Sequence, residues 1–292
     1  PPPPPPPSVH NYFHLTRVDG HSAKSEGPHM AGSFAMDRVY GGLAATQALA
    51  TFRLLHPSLR PHTINYKYVA AGRVDSPMEY YSSHHDEGKI VAIQARQGTT
   101  VVGTGHIRYS ALIDLLPPLQ YPFPEDVDGP EEYPEALELM REIPGYSPEM
   151  INALSQVPLD IHPVESPLFP SSDVDRVCLW TRFNPRYHSD LLDVDGLQIV
   201  LFLSDFNILQ VASEIYQKNK VKMSAAASLH HTVWFHQTED IDPLEWYLTV
   251  VEAPVITLDR ARLTSHLFDR RKRCILSVVQ EGYIQKKRDS KI

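Results

Sequence analysis

The sequence predicts an α+β architecture made of two tandem copies of one unit, each a long helix wrapped by a curved antiparallel sheet. Three observations carry that expectation. Two helix-like stretches, one behind Tyr40-Gly41-Gly42 and one starting at Gly196, are each followed by four strand-like runs. A local phrase recurs ahead of the second strand of each set: Asp75-Ser-Pro-Met-Glu-Tyr-Tyr81 in the first half, Asp242-Pro-Leu-Glu-Trp-Tyr247 in the second. Between the two sets, residues 114–173 hold 12 prolines and a cluster of acids, a composition that suits a connector rather than a core.

In chain order, residues 1–11 read as a disordered tail headed by the polyproline run Pro1 to Pro7. The first unit spans residues 12–115. Tyr12 to Val18 has strand composition, and residues 19–37 are loop-like. Leu43 to Leu55 is rich in Ala and Leu and is closed by Pro57, as a helix should be. Strands are expected at about 62–70, 78–85, 89–97 and 100–112, with Gly88 and Gly98 in the turns. Residues 116–175 form the connector, with one short helix candidate from Pro134 to Ile143. The second unit, residues 176–292, has a strand at about 176–183, a helix at 196–213, and strands at about 223–236, 245–254, 258–269 and 273–285.

Composition narrows the function. The 292 residues are 42% apolar and 21% charged, which suits a globular protein with well-buried cores. A net charge of −8 argues against a nucleic acid or an anionic membrane as main partner. No apolar run reaches bilayer length before it is interrupted, so no membrane span is expected. Cys178 and Cys274 form neither a disulfide framework nor a metal spacing, which fits a reducing compartment.

The residues point to one place for chemistry. The stretch Gly196 to Ser213 is apolar around almost its whole circumference, so it should be buried on all sides. Asp205 sits in its middle, and a buried carboxylate is costly unless hydrogen-bonded. The strand that follows, Lys222 to His236, brings Ser228 soon after the helix.

The motifs resemble those of acyl-CoA thioesterase II enzymes, a family with peroxisomal members, and the repeated unit looks like a hotdog fold. Tyr40-Gly41-Gly42 with Gln47-Ala48-Leu49 is similar to the family's Phe-Gly-Gly-Gln…Gln-Ala-Leu helix start. Ser204-Asp205-Phe206-Asn207 resembles Ser-Asp-Leu-Asn, and Ser228 to His236 resembles the Asp-His-Ser-Met-Trp-Phe-His strand. Val279-Gln280-Glu281-Gly282 resembles the closing Gln-Glu-Gly. The likeness runs from about residue 38 to 285. It implies a double hotdog that hydrolyses acyl-CoA to a fatty acid and coenzyme A, with no cofactor beyond the coenzyme A of the substrate.

It also implies the site. The family's catalytic Asp, Ser or Thr, and Gln fall on Asp205, Ser228 and Gln280. An ionised Asp only accepts hydrogen bonds, while the Ser hydroxyl and the Gln amide donate, so the three can hold one water for attack on the thioester carbonyl. No serine nucleophile or acyl-enzyme is needed. Gly41 and Gly42 could aim backbone N–H groups at a thioester oxygen or a phosphate, or could serve only close packing. The chain departs from the family pattern at His230, where the family has Asp; alternation puts His230 on the face of Ser228, as a candidate substrate-binding residue with Gly41 and Gly42, and His231 on the other. It departs again at Leu43 and over Asn65-Tyr-Lys-Tyr-Val-Ala-Ala-Gly72, where the family's His, Arg and Pro are missing.

Further readings follow. His230 and His236 would stand about 20 Å apart on one strand face at ~3.3 Å per residue, so no metal site is expected. Arg270-Arg271-Lys272-Arg273 reads as a solvated hairpin tip, or else as a contact for coenzyme A phosphates. The two units should pack sheet to sheet, and the chain should form a homodimer or larger. Ser290-Lys291-Ile292 is a close variant of the Ser-Lys-Leu signal read by the peroxisomal import receptor, so the expected location is peroxisomal, otherwise cytoplasmic. The competing functions are a non-catalytic acyl-CoA-binding or scaffold protein, and an enoyl-CoA hydratase. The hydratase would need an Asp and His pair at a helix start, which neither helix offers.

Overall fold

The structure, a computed structural model, describes residues 9–32, 35–85, 87, 89–110, 119–142, 146–165 and 176–287. Pro1 to Pro7, Gly88 and Ser290-Lys291-Ile292 lie outside the described residues. The first unit holds α1 (His10–Phe13), β1 (Thr16–Arg17), β2 (Ser22–Ser25), β3 (Ala31–Gly32), β4 (Ala35–Val39), α2 (Gly41–Leu55), β5 (Arg60–Tyr68), β6 (Met78–His85), β7 (Ile90–Gln97) and β8 (Thr100–Ser110). Then come α3 (Ala136–Glu142), α4 (Pro148–Ser155) and β9 (Leu159–Glu165). The second unit holds β10 (Arg176–Phe183), α5 (His188–Leu191), α6 (Gly196–Asp205), α7 (Gln210–Lys218), β11 (Met223–Phe235), β12 (Tyr247–Thr257), β13 (Arg260–Asp269) and β14 (Cys274–Lys286).

Twelve of the strands form one sheet in the order β1-β2-β6-β7-β8-β5-β11-β14-β13-β12-β10-β9. The order is the same read from either end once each strand is replaced by its counterpart in the other unit, which confirms two copies of one unit. The sheet-to-sheet packing of the two units expected from the sequence is not what the structure shows. They join edge to edge where β5 and β11 pair antiparallel, with Ile64 opposite Val233 and Tyr66 opposite His231. Pairing these edges satisfies two rows of backbone groups that would otherwise face solvent.

α2 and α6 lie together inside the curve of this sheet, side by side and antiparallel. α2 is buried from Gly42 to Phe52, and every residue of α6 is buried. The apolar side chains of α6 from Leu197 to Leu203 stabilise the fold by about 1.5–3 kcal/mol each at full burial, enough to offset one awkward polar group at the helix end. Tyr40 donates its hydroxyl hydrogen to the Phe202 carbonyl at 2.7 Å, tying the start of α2 to the end of α6. At the other ends of the two helices Arg53 pairs with Asp195 at 2.8 Å, and Asp195 also accepts from the Leu197 N–H at 3.0 Å to cap α6.

Three further expectations differ from the structure. The tail predicted for residues 1–11 ends sooner, since Val9 is 1% exposed and Tyr12 and Phe13 lie on α1 rather than on a strand. The connector is not free of the sheet: β9 pairs with β10 as its outermost strand, and the Trp180 indole donates to the Asp128 carbonyl at 3.0 Å. The helix expected at 196–213 breaks after Asp205. Phe206 is extended, Asn207 has φ +59°, and α7 then starts at Gln210. Asn tolerates that left-handed conformation better than other non-glycine residues, so the break is written at Asn207. The stretch Gly196–Tyr216 is apolar and long enough to cross a membrane by those measures, yet its most apolar window is 89% buried inside the protein.

Candidate active site

Because α6 stops at Asp205, the carboxylate lies at a helix end rather than in mid-helix. An anion at the C-terminus of its own helix is unfavourably placed. Here it is offset by the neighbour, since the N-terminus of α2 meets it. Tyr40, the N-cap of α2, makes no side-chain cap. The Gly42 N–H is directed at the Asp205 carboxylate instead. A Cβ on Gly41 would lie 2.8 Å from Asp205 Oδ2 and 3.1 Å from the Tyr68 hydroxyl, so only glycine admits this approach. Gly42 is fixed likewise, since a Cβ there would lie 2.5 Å from the Tyr40 ring. The Gly42 N–H, expected to meet a thioester oxygen or phosphate, thus faces the acid of the other unit.

Asp205 is 6% exposed. The Ser228 hydroxyl, on β11, donates to its Oδ1 at 3.3 Å. Gln280, fully buried on β14, donates its amide hydrogen to Ser228 Oγ at 2.8 Å. The structure therefore brings Asp205, Ser228 and Gln280 together from a helix end and two neighbouring strands. Burial pushes the Asp205 carboxyl above its ordinary range, while His231, Gln280, Ser228 and the Gly42 N–H pull the other way.

His231 is the residue the sequence reading missed, and His230 is the one it misplaced. Strict alternation puts His230 on the face of Ser228, but β11 carries a bulge there. Ser228 pairs with Gly282, His230 with Glu281 and His231 with Gln280, so two steps along β11 match one along β14. The extra residue resets the parity. His231, fully buried, bonds through Nδ1 to the Gln280 side-chain oxygen and stands 4.0 Å from Asp205 Oδ1. Its Nε2 is 2.9 Å from Ser204 Oγ. Burial holds its pKa below the usual histidine value, while Asp205 and Gln280 pull the other way. His230 points to the other face, where its Nε2 lies 2.7 Å from Asn65 Oδ1, and the Asn65 amide donates to Thr232 Oγ1 at 3.1 Å. It bridges the seam between the units and does not meet Asp205.

Tyr40 and Tyr68 also surround the acid, and both hydroxyls are held well above the usual pKa, first by burial and then by Asp205. The Tyr68 hydroxyl is buried and has no hydrogen-bond partner among the described residues. Its signal was present in the Asn65 to Gly72 segment, read only as an eroded strand end. The basic run is engaged elsewhere: Arg270 pairs with Glu131, Arg271 with Asp240 at 2.7 Å, and Arg273 with Asp269 at 2.7 Å. Among the described residues no group of three or more His, Cys, Asp or Glu side chains is placed to hold a metal ion.

The comparisons with known proteins agree with this architecture. The fold is similar to a tesB protein of Mycobacterium avium subspecies paratuberculosis, at 19% identity and a TM-score of 0.71 over 94% of this chain and 98% of that one. It is similar to the acyl-CoA thioesterase II TesB2 of Mycobacterium marinum, at 18% identity and a TM-score of 0.70 over 96% and 99% of the two chains. A conserved protein of unknown function with a hot dog fold from Alicyclobacillus acidocaldarius aligns at 15% identity and a TM-score of 0.73, over 96% and 98%. These likenesses establish a double hotdog fold. The family model described as the acyl-CoA thioesterase C-terminal domain matches residues 124–284, more than half of the chain and the part that carries Asp205, Ser228 and Gln280. By that match the chain belongs to the acyl-CoA thioesterase family.

Proposed function

We propose that the chain hydrolyses acyl-CoA thioesters to a free acid and coenzyme A, with Asp205 as general base for an attacking water. The observation that carries this reading is the convergence of Asp205, Ser228 and Gln280 at the N-terminus of α2, with Ser228 bonded to both others. The water gives its proton to the ionised Asp205 as its oxygen forms the bond to the thioester carbon. The carbonyl becomes an oxyanion, which needs a donor; the unpartnered Tyr68 hydroxyl and the Gln280 amide hydrogens are the nearest candidates. Collapse of the intermediate breaks the C–S bond, and the proton held on Asp205 is available to the departing thiolate.

The raised pKa of Asp205 suits both duties, because a stronger base takes a proton more readily and its conjugate acid can return it. The binding-module alternative is not favoured, since a fold that only bound acyl-CoA would gain nothing from a desolvated carboxylate at its centre. Incubation of the pure chain with acyl-CoAs of several lengths, following free thiol, tests the reading. Thiol release is expected, and binding without release at every chain length would contradict it.

Assembly and location belong to the same proposal. The sheet ends in β1 and β9, whose outer edges pair with no further strand among the described residues, and a homodimer or larger species is expected in light scattering rather than a 33.0 kDa monomer. Where Ile292 carries the free terminal carboxyl, Ser290-Lys291-Ile292 should direct the chain to peroxisomes. A fluorescent fusion that is diffuse with or without the three residues would refute that.

A further inference from the structure

Behind Asp205, Ser228 and Gln280 lies a buried layer of side chains that the proposed reaction does not use. It consists of His231 on β11 and Ser204, the residue before Asp205 on α6. Ser204 Oγ lies 2.9 Å from His231 Nε2 and 2.7 Å from the Leu201 carbonyl one turn back. On its other side, His231 Nδ1 meets the side-chain oxygen of Gln280.

The orientation of the Gln280 amide follows from what each end can do. Ser228 has one hydroxyl hydrogen and gives it to Asp205, so toward Gln280 it can only accept. The amide must therefore turn its NH2 to Ser228 and its carbonyl to His231. Turned the other way, its oxygen would face a second acceptor at Asp205 and would draw the Ser228 hydrogen off the carboxylate. An amide carbonyl only accepts, so His231 Nδ1 must carry a hydrogen. A glutamine is symmetric in shape, so which end faces the site is set by its two partners, Ser228 on one side and His231 on the other.

We propose that His231 is the positioning residue for Gln280, held as the tautomer protonated on Nδ1 so that the amide NH2 is presented to Ser228 and to the reacting water. Ser204 holds the far side of the ring. Its single hydrogen can point to His231 Nε2, which leaves the ring neutral. It can instead point to the Leu201 carbonyl, and Nε2 can then carry a second hydrogen and donate to Ser204 Oγ. The bond from Nδ1 to Gln280 survives in both states, so the amide stays in place while charge changes around it. The groups that face the ring are Asp205 at 4.0 Å from α6, Gln280 from β14, and Tyr66 opposite it on β5. His230 is next on its own strand, with Lys67 and Glu281 beyond, and Tyr40 and Tyr68 stand on the far side of Asp205.

The kinetic consequence rests on the hydrolase reading, while the tautomer does not, and the test separates them. The imidazole nitrogen resonances of His231 in the 15N-labelled full chain at pH 8 are expected to show one neutral form with hydrogen on Nδ1. Hydrogen on Nε2 alone would overturn the proposal. In thiol-release assays, His231→Asn places an amide nitrogen near the former Nδ1 and should keep kcat within about tenfold of wild type. His231→Leu, which cannot donate, should lower kcat by about 10²-fold while KM changes less than about threefold, the size expected when a positioning contact is lost. Equal losses in the two folded variants would overturn the proposal. Where His231→Leu does not fold, the wild-type tautomer decides. Absence of thiol release by wild type would sink the hydrolase reading and leave the nitrogen spectrum to judge this one.

Discussion

The two units carry the same helix-on-sheet plan and fill its centre differently. In the first, the buried amide on the helix is Gln47, beside the smaller buried hydroxyls of Thr46 and Thr51. Its amide donates to the Tyr12 carbonyl at 3.2 Å and to Ser25 Oγ at 3.0 Å, and its oxygen accepts from the Tyr80 hydroxyl at 2.8 Å. That group is neutral and fully paired, so its burial costs little. In the second, the buried polar side chains include a carboxylate, Asp205, left at the end of a helix that stops early. α2 runs unbroken for 15 residues, while α6 ends after 10. Between strands the contrast repeats: β8 sets Gly105 opposite Tyr66, while β14 sets Gln280 opposite His231. Yet the first unit is not a bystander. It supplies the α2 N-terminus, the glycines that let Asp205 approach, and the Tyr40 and Tyr68 hydroxyls. One copy holds the buried acid, and the other makes its burial tolerable.

The largest expected effect breaks the contrast at its centre. Asp205→Asn keeps the shape and removes the proton acceptor, so turnover should fall ~10²- to 10⁴-fold in a thiol-release assay. Gly41→Ala attacks the contribution of the first unit. A methyl 2.8 Å from Asp205 Oδ2 must displace the acid, and turnover should drop about 10²-fold at a stability cost of ~1–3 kcal/mol, read by denaturant unfolding. Ser228→Ala should cost less, and its effect should not add to that of Asp205→Asn, because the two act as a unit. Tyr68→Phe should lower kcat by roughly tenfold if the unpartnered hydroxyl meets the substrate oxygen, and should leave the unfolding midpoint unchanged or higher.

The smallest effects sharpen the comparison. Gln47→Leu strands the Tyr80 hydroxyl, so stability should fall by about 1–3 kcal/mol with kcat unaltered, the mark of a purely structural polar group. For pH, kcat/KM should fall on acidification with a limb above the ordinary aspartate range near ~3.9, since burial raises the Asp205 pKa. The stability sign follows from the same shift. A carboxyl whose folded pKa is raised binds its proton more tightly when folded, so its contribution weakens as pH rises from the unfolded toward the folded pKa. The stability of Asp205→Asn relative to wild type should therefore increase with pH across that window, and a flat difference in paired unfolding curves would contradict the raised pKa.

Much of this arrangement was legible in the residues. Nine strands fall where alternation and turn residues put them, and Asp205, Ser228 and Gln280 converge as the family resemblance implies. What was not legible depends on backbone events without a strong local signature. The bulge between Ser228 and His230 leaves no glycine or proline to announce it, yet it swaps which histidine enters the site. The break in α6 had a hint in Asn207, overruled by an apolar run that continues past it. The edge pairing of β5 with β11 joins residues more than 160 positions apart, beyond the reach of any local pattern.

The central claim is that Asp205 activates water and is not itself the nucleophile. A single turnover of acyl-CoA with excess enzyme in H2(18)O separates the two. The account predicts one 18O in the fatty acid of the first turnover and none in the peptide containing Asp205. An unlabelled first product, with 18O appearing in the Asp205 carboxyl, would contradict it.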